Sequence, residues 1–91
     1  MATEILAIGT TAESSADVTV SAGSTLTVCL KDAGGSVIGP GASVEIQLKD
    51  DDGEYFTVAV LSAAKLALVI TGAGTYRFTR RAGTSCGVFS G

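Results

Sequence analysis

Residues 43–61 read SVEIQLKDDDGEYFTVAVL, and this stretch decides the fold class. Apolar and polar side chains alternate over residues 44–49, which is the period of a strand with one buried face. A second apolar run follows an Asp-Gly pair, which is a strong turn signal between two such runs. The stretch therefore predicts an antiparallel hairpin in which strand 43–49 pairs with strand 54–61.

The rest of the chain repeats this rhythm of short strands and glycine-containing turns. Strand signals fall at residues 5–8, 17–20, 26–31, 65–70, 75–79 and 86–89. A chain of 91 residues fits one domain, and turns at this spacing are typical of a sandwich. We expect a single all-β domain over residues 1–91. It would be an antiparallel β-sandwich or small barrel of about eight short strands, immunoglobulin-like or jelly-roll-like.

The alternation also predicts which side chains form the core. The strand at 65–70 is apolar on both faces, so it is expected to be covered on both sides. In each of the other strands, the apolar set of alternating side chains is predicted to face the core. The predicted core consists of Leu26, Val28, Leu30, Val44, Ile46, Leu48, Phe56, Val58, Leu66, Leu68, Tyr76 and Phe78.

The chain has two cysteines, Cys29 and Cys86, which can pair only with each other or with another chain. Residues 1–6 lack the basic start and the long apolar stretch of a secretory signal, so we expect a protein made in the cytoplasm. In that compartment both thiols are expected to be buried and reduced. The alternative is an immunoglobulin-type disulfide between the two sheets.

The chain contains no histidine, which removes Ser-His and Cys-His nucleophile pairs and the imidazole ligands common in zinc sites. The acidic run at 50–54 is the one feature with acid-base or metal-binding potential. A hairpin tip lacks the burial that a general acid needs, and the run lacks the spacing of an EF-hand loop. We expect a solvated turn, with a weak cation site as the alternative. The sequence thus predicts no enzymatic activity, no cofactor and no metal site.

The composition limits the classes of partner. Charged residues make up 16% of the chain, and the net charge of −3 includes nothing like the basic patch of a nucleic-acid-binding protein. The apolar region at 58–70 is shorter than the roughly 20 residues of a membrane-spanning helix. We expect neither nucleic acid nor membrane as partner. A surface so poor in charge is expected to be covered by other protein subunits.

The charges are distributed unevenly along the chain. Residues 1–64 contain all nine acidic side chains and two lysines, a charge of −7, whereas residues 65–91 contain four cations and no acid, a charge of +4. This asymmetry suits contact between unlike surfaces of neighbouring copies. Arg77, Arg80 and Arg81 are therefore the interface candidates, with a merely solvated strand edge as the alternative.

One short stretch resembles a known structural feature. Gly74-Thr75-Tyr76-Arg77-Phe78 resembles the Gly-x-Tyr-x-Cys stretch at the tyrosine corner of immunoglobulin-like sandwiches, with phenylalanine in place of the cysteine. The resemblance implies that the Tyr76 hydroxyl donates a hydrogen bond to upstream backbone. It also raises the alternative of a cell-surface adhesion module that binds through its loops.

Over most of its length the chain is similar to small virion proteins of tailed bacteriophages. The similarity is carried by Gly23-Ser24-Thr25-Leu26-Thr27-Val28, by the alternating stretch 44–49, and by the closing stretch 71–83. It implies a capsid decoration or cement protein that binds the major capsid protein and itself, often as a trimer, on the capsid surface. A tail, fibre or head–tail adaptor component is the alternative within this group.

Overall fold

The computed structural model describes residues 3–33 and 38–90. These residues form nine β-strands joined by turns. In chain order the strands are β1 (Thr3–Gly9), β2 (Glu13–Ser14), β3 (Val18–Val20), β4 (Leu26–Lys31), β5 (Ser43–Lys49), β6 (Tyr55–Ser62), β7 (Ala67–Ile70), β8 (Gly74–Arg80) and β9 (Cys86–Ser90). The strands predicted from weak signals are all present, and β2 is an additional strand of two residues that the alternation did not predict.

The strands form two antiparallel sheets that pack face to face. The four-stranded sheet has the order β1-β9-β4-β7, and the five-stranded sheet has the order β2-β8-β5-β6, with β3 also pairing with β8. The predicted all-β antiparallel sandwich is confirmed. The β5–β6 hairpin is also confirmed, with Val44 opposite Leu61 and Leu48 opposite Phe56.

The core lies between the sheets and is drawn from most strands. Six of the predicted core residues are buried, as the alternation requires, and four of the predicted leucines are partly buried against them. Side chains that the alternation did not assign to the core also contribute from β1, β3, β6, β7 and β9. The buried apolar residues are Leu6, Val20, Val28, Leu30, Ala42, Val44, Ile46, Leu61, Ile70, Tyr76, Phe78, Cys86 and Val88.

The core prediction is wrong for β6. Phe56 and Val58 are 54% and 55% exposed. The β5–β6 pairing shifts register after Ile46, which is opposite Ala59, whereas Gln47 is opposite Thr57, so Val58 is an extra, bulged residue. The bulge reverses the alternation, and Ala59 and Leu61 take the inward positions.

Phe56 keeps the inward side of the sheet, opposite Leu48, but is not covered. Across the sandwich, β6 mainly contacts β4, and this contact leaves Phe56 54% exposed. The prediction that the strand at 65–70 is covered on both faces is also wrong, because Val69 is 52% exposed on the outer face of its sheet.

The predicted tyrosine-corner contact is present. The Tyr76 hydroxyl donates a hydrogen bond to the carbonyl oxygen of Gly72, four residues upstream, over 2.8 Å. Gly72 approaches the ring closely, since a Cβ atom there would lie 3.2 Å from the Tyr76 hydroxyl oxygen. The contact fixes the chain where it enters β8, the strand that contains Arg77 and Arg80 and ends directly before Arg81.

Both cysteines are free thiols in the structure. Cys86 points into the core, and burial raises the pKa of its thiol. Cys29 lies opposite Phe89 on the outer face of the same sheet, where its thiol donates to the Phe89 carbonyl oxygen over 3.5 Å. The two thiols therefore lie on opposite sides of the four-stranded sheet. Cys29 is partly exposed, so the prediction that both are buried holds for Cys86 alone.

Candidate functional site

The outer face of the five-stranded sheet is a layer of polar side chains bonded to one another. At its centre the Gln47 side-chain oxygen accepts hydrogen bonds from Arg77 Nε at 3.0 Å, from Arg77 Nη2 at 2.7 Å and from Thr79 Oγ1 at 3.1 Å. The Arg77 guanidinium also lies 3.6 Å from the ring centre of Tyr55. These contacts hold Arg77 flat against its own sheet.

Asp17, in the segment between β2 and β3, continues this layer. Its carboxylate accepts hydrogen bonds from the Tyr55 hydroxyl at 2.8 Å and from Lys49 Nζ at 3.3 Å. The Tyr55 hydrogen bond lowers the pKa of Asp17, and the same bond raises the pKa of Tyr55. The side chains of Lys49 and Asp17 are 39% and 36% exposed, so this ion pair is a surface pair of small energetic weight.

Arg81 lies at the opposite end of the same face. Its Nε is 3.6 Å from Glu45 Oε2, and its side chain is 71% exposed. Glu45 also accepts a hydrogen bond from the Thr57 hydroxyl at 2.8 Å. Arg81 is therefore the arginine of the three whose charge is open to solvent and to a partner.

Arg80 is buried, with 1% of its side chain exposed. Its guanidinium closes one end of the sandwich, where Nε donates to the Thr11 carbonyl oxygen at 2.8 Å and Nη1 donates to the carbonyl oxygens of Ala7 and Cys86. Nη2 lies 3.2 Å from a carboxylate oxygen of Glu13. Arg80 is therefore a structural residue of this chain, and its side chain leaves almost no surface for a partner.

The three arginines consequently do not form one cluster. The alternation along β8 already carried this information, because Arg80 shares the parity of the inward-facing Tyr76 and Phe78. Arg77 and Arg81 lie on the outer face, and their interface role stays a prediction.

The charge asymmetry along the chain is balanced within the fold. Arg80 contacts Glu13 of β2, and Arg81 contacts Glu45 of β5. Two of the three arginines thus contact acidic side chains of their own chain, which weakens the argument that they must bind acids on a neighbouring copy. The excess of negative charge lies at the β5–β6 turn, where four of residues 50–54 are acidic.

That acidic turn is organised around Asp50. One Asp50 carboxylate oxygen accepts hydrogen bonds from the backbone N–H groups of Asp52 at 2.9 Å and Glu54 at 2.8 Å. Gly53 adopts a φ of 83°, which glycine tolerates without strain. The predicted turn is present. Asp50 is its structural residue, whereas Asp51 is an exposed one.

The most unusual surface is the free edge of the five-stranded sheet, formed by β6. Within residues 3–33 and 38–90, β5 is the only strand that pairs with β6, and Lys65 folds back to form a single bridge with Ser62 at the end of β6. Phe56, Val58 and Val60 are 54%, 55% and 42% exposed. Residues 55–64 contain no charged side chain and no proline. Edge strands are usually protected by such residues, so this edge is the candidate association surface of the chain.

The sequence contained a signal for this surface that simple alternation misses. In residues 55–61, the odd-numbered and the even-numbered side chains are both mainly apolar, whereas β5 beside them has one polar face. A strand that follows such a hairpin partner can bury only one of its faces in a two-layer sandwich. One set of its apolar side chains must then reach the surface.

In the described part of the chain, no three His, Cys, Asp or Glu side chains lie close enough together to hold a metal ion. The same residues include no helix with the length and apolar composition needed to span a membrane. Comparisons of the chain with protein-family models, with curated proteins and with solved structures find no match.

Proposed function

We propose that this chain is a structural assembly protein without catalytic activity, and that it serves as a decoration or cement protein on the outside of a bacteriophage head. The observation that carries the assembly role is the β6 edge, with three large apolar side chains exposed on an uncharged strand. The phage head is supported by the similarity of the sequence to small virion proteins.

The mechanism of such a protein is the covering of surface. Each square ångström of apolar area removed from water contributes about 25 cal/mol, so exposed apolar strands favour a bound state over a free one. Val69 on β7 provides a second exposed apolar position, on the outer face of the four-stranded sheet. Two such surfaces allow one molecule to bridge neighbouring subunits of a shell.

The polar face of the five-stranded sheet supports the same role in a different way. Its charged groups, Arg77 and Asp17 among them, are paired with side chains of their own sheet. A surface of this kind is stable in water without a partner. In a decoration protein it is the face that we expect to point away from the capsid.

The test is the copy number of the chain in purified particles of the phage that encodes it, measured by quantitative mass spectrometry. A capsid decoration protein is present in hundreds of copies, because it follows the symmetry of the shell. About a dozen copies or fewer would indicate a tail, fibre or head–tail adaptor component. Absence from the particles would overturn the proposal.

A binding assay on heads stripped of the chain locates the contact. Val69→Lys introduces a charge on the exposed apolar position of β7 and is expected to reduce occupancy. Thr19→Lys is the matched control, since it introduces the same charge at an exposed position on β3. Equal occupancy for both variants would exclude the outer face of the four-stranded sheet as the attachment surface.

A further inference from the structure

We infer that the β6 edge is covered by a second copy of this chain, with the two β6 strands paired antiparallel about a two-fold axis. The two five-stranded sheets then form one continuous sheet across the dimer. This inference rests on the assembly role proposed above, because it names the partner of the β6 surface. It does not depend on the phage head.

The charges at the two ends of β6 favour a copy of the same chain as the partner. The acidic turn at 50–54 precedes the strand, and Lys65 follows it. In an antiparallel pair centred on β6, Asp52 and Glu54 of one copy lie near Lys65 of the other. Opposite charges then meet at both ends of the interface, and the two-fold axis repeats the contact.

The same charges exclude a parallel arrangement of the two strands. Parallel pairing would place the two acidic turns side by side, and like charges across neighbouring strands are destabilising. Antiparallel pairing separates these turns by about the length of the strand. At roughly 3.3 Å per residue that length exceeds the screening distance of about 8 Å at physiological salt.

The bulge at Val58 makes the strand complementary to itself. With the axis between Val58 and Ala59, Phe56 lies opposite Leu61 of the second copy, and Thr57 lies opposite Val60. The pairing ends before Ser62, because the Ser62 N–H and carbonyl groups are already bonded to Lys65 of the same chain. Directly opposed residues of antiparallel strands share a face. Phe56 and Leu61 are both on the inner side, while Thr57 and Val60 are both on the outer side.

Without the bulge this register would bring an inward residue against an outward one, because the side-chain period is two. The extra residue shifts the parity of the first half of β6 against the second. Every pair in the register is then apolar or hydroxyl-bearing, and no charge is buried. Phe56 is not covered by the four-stranded sheet of its own chain, and it gains cover from the second copy.

Analytical ultracentrifugation of the purified chain over a wide range of concentration tests the inference. The parent protein is expected to dimerise, and Val58→Lys is expected to shift it to monomer. Thr27→Lys is the matched control, because Thr27 is an exposed strand residue on the outer face of the other sheet. This control variant is expected to dimerise like the parent.

Charge exchange tests the orientation. Lys65→Glu is expected to weaken the dimer by up to about fivefold, and adding Glu54→Lys to the same chain is expected to restore part of the loss. The parent dimer should weaken as salt is raised, because the end contacts are exposed. A dimer strengthened by Lys65→Glu would overturn the antiparallel arrangement.

Circular dichroism melting shows whether each variant folds, and Val60→Lys replaces Val58→Lys if the latter unfolds. A parent chain that is monomeric at every concentration overturns the inference, as does a dimer indifferent to a folded β6 variant. A monomer that still coats phage heads would refute self-pairing and leave the proposed function standing. A chain that dimerises through β6 but is absent from phage particles would support self-pairing and refute the proposed function.

Discussion

Strands β8 and β6 lie on either side of β5 in the same sheet, and they differ in which side chains they bury. At the end of β8 an arginine is 1% exposed, whereas β6 leaves Phe56 and Val58 more than half exposed. The comparison shows that hydropathy does not decide burial here. What decides it is whether the opposing sheet covers a position, and whether the surrounding backbone can satisfy a charge.

The end of β8 can hold a charge because backbone carbonyl groups converge there. Ala7 lies in β1 between Leu6 and Gly9, where the pairing of β1 with β9 is irregular, and its carbonyl oxygen accepts from Arg80. Gly9 leaves room for the guanidinium, since a Cβ atom there would lie 2.9 Å from Arg80 Nη2. The edge at β6 has no equivalent neighbour within the described residues, so its apolar groups stay open.

The largest effect is expected from removing the buried charge. Arg80→Ala should lower the free energy of unfolding by about 3–5 kcal/mol, because it leaves buried carbonyl oxygens without a donor and opens a cavity. Arg81→Ala is the matched control, and a change within about 0.5 kcal/mol is expected there. Urea unfolding followed by circular dichroism measures both. Equal losses would mean that burial does not distinguish the two arginines.

The same contrast can be tested with apolar side chains. Ile46→Ala, at a position with no exposed surface, should cost about 2–5 kcal/mol of unfolding free energy. Val58→Ala removes a side chain that is 55% exposed and should cost less than about 1 kcal/mol in the monomer. The unfolding is measured at low protein concentration. A larger loss at Val58 than at Ile46 would invert the assignment of faces in the hairpin.

A smaller effect is expected at the turn that joins β5 to β6. Asp50→Ala removes the acceptor of two backbone hydrogen bonds and should cost about 1 kcal/mol. Asp51→Ala is expected to change the unfolding free energy by less than about 0.5 kcal/mol. The difference between the two melting curves measures the contribution of the Asp50 carboxylate to the turn. Identical curves would show that the turn forms without it.

The smallest effect concerns pH and the polar face. The hydrogen bond from Tyr55 lowers the pKa of Asp17 below 3.8, so the bonded carboxylate favours the folded state above that value. Its contribution is lost as the pH falls through the lowered folded-state pKa. Asp17→Asn should therefore lower the melting temperature at pH 7, and this difference should disappear in strong acid. A difference that persists there would assign the effect to packing.

Much of the fold could be predicted because strand period and turn chemistry are local. The alternation at 44–49 and the Asp-Gly turn sufficed for the β5–β6 hairpin, and Gly74 to Phe78 sufficed for the Tyr76 contact. The β6 surface could not be predicted in the same way. A bulge is one residue counted against a partner strand, and a single strand does not reveal it.

The sequence by itself determined the class of the protein: short alternating strands, glycine turns and few charges give one antiparallel sandwich without histidine chemistry. The tertiary structure alone decided which residues of that sandwich meet water. Arg80 is internal because the carbonyl groups of Thr11 and Ala7, distant in the chain, converge on it. Phe56 and Val58 are exposed on a sheet edge where Val58 is an extra residue in the pairing with β5. Local patterns fix the side of a strand on which a residue lies, but cover comes from segments elsewhere in the chain.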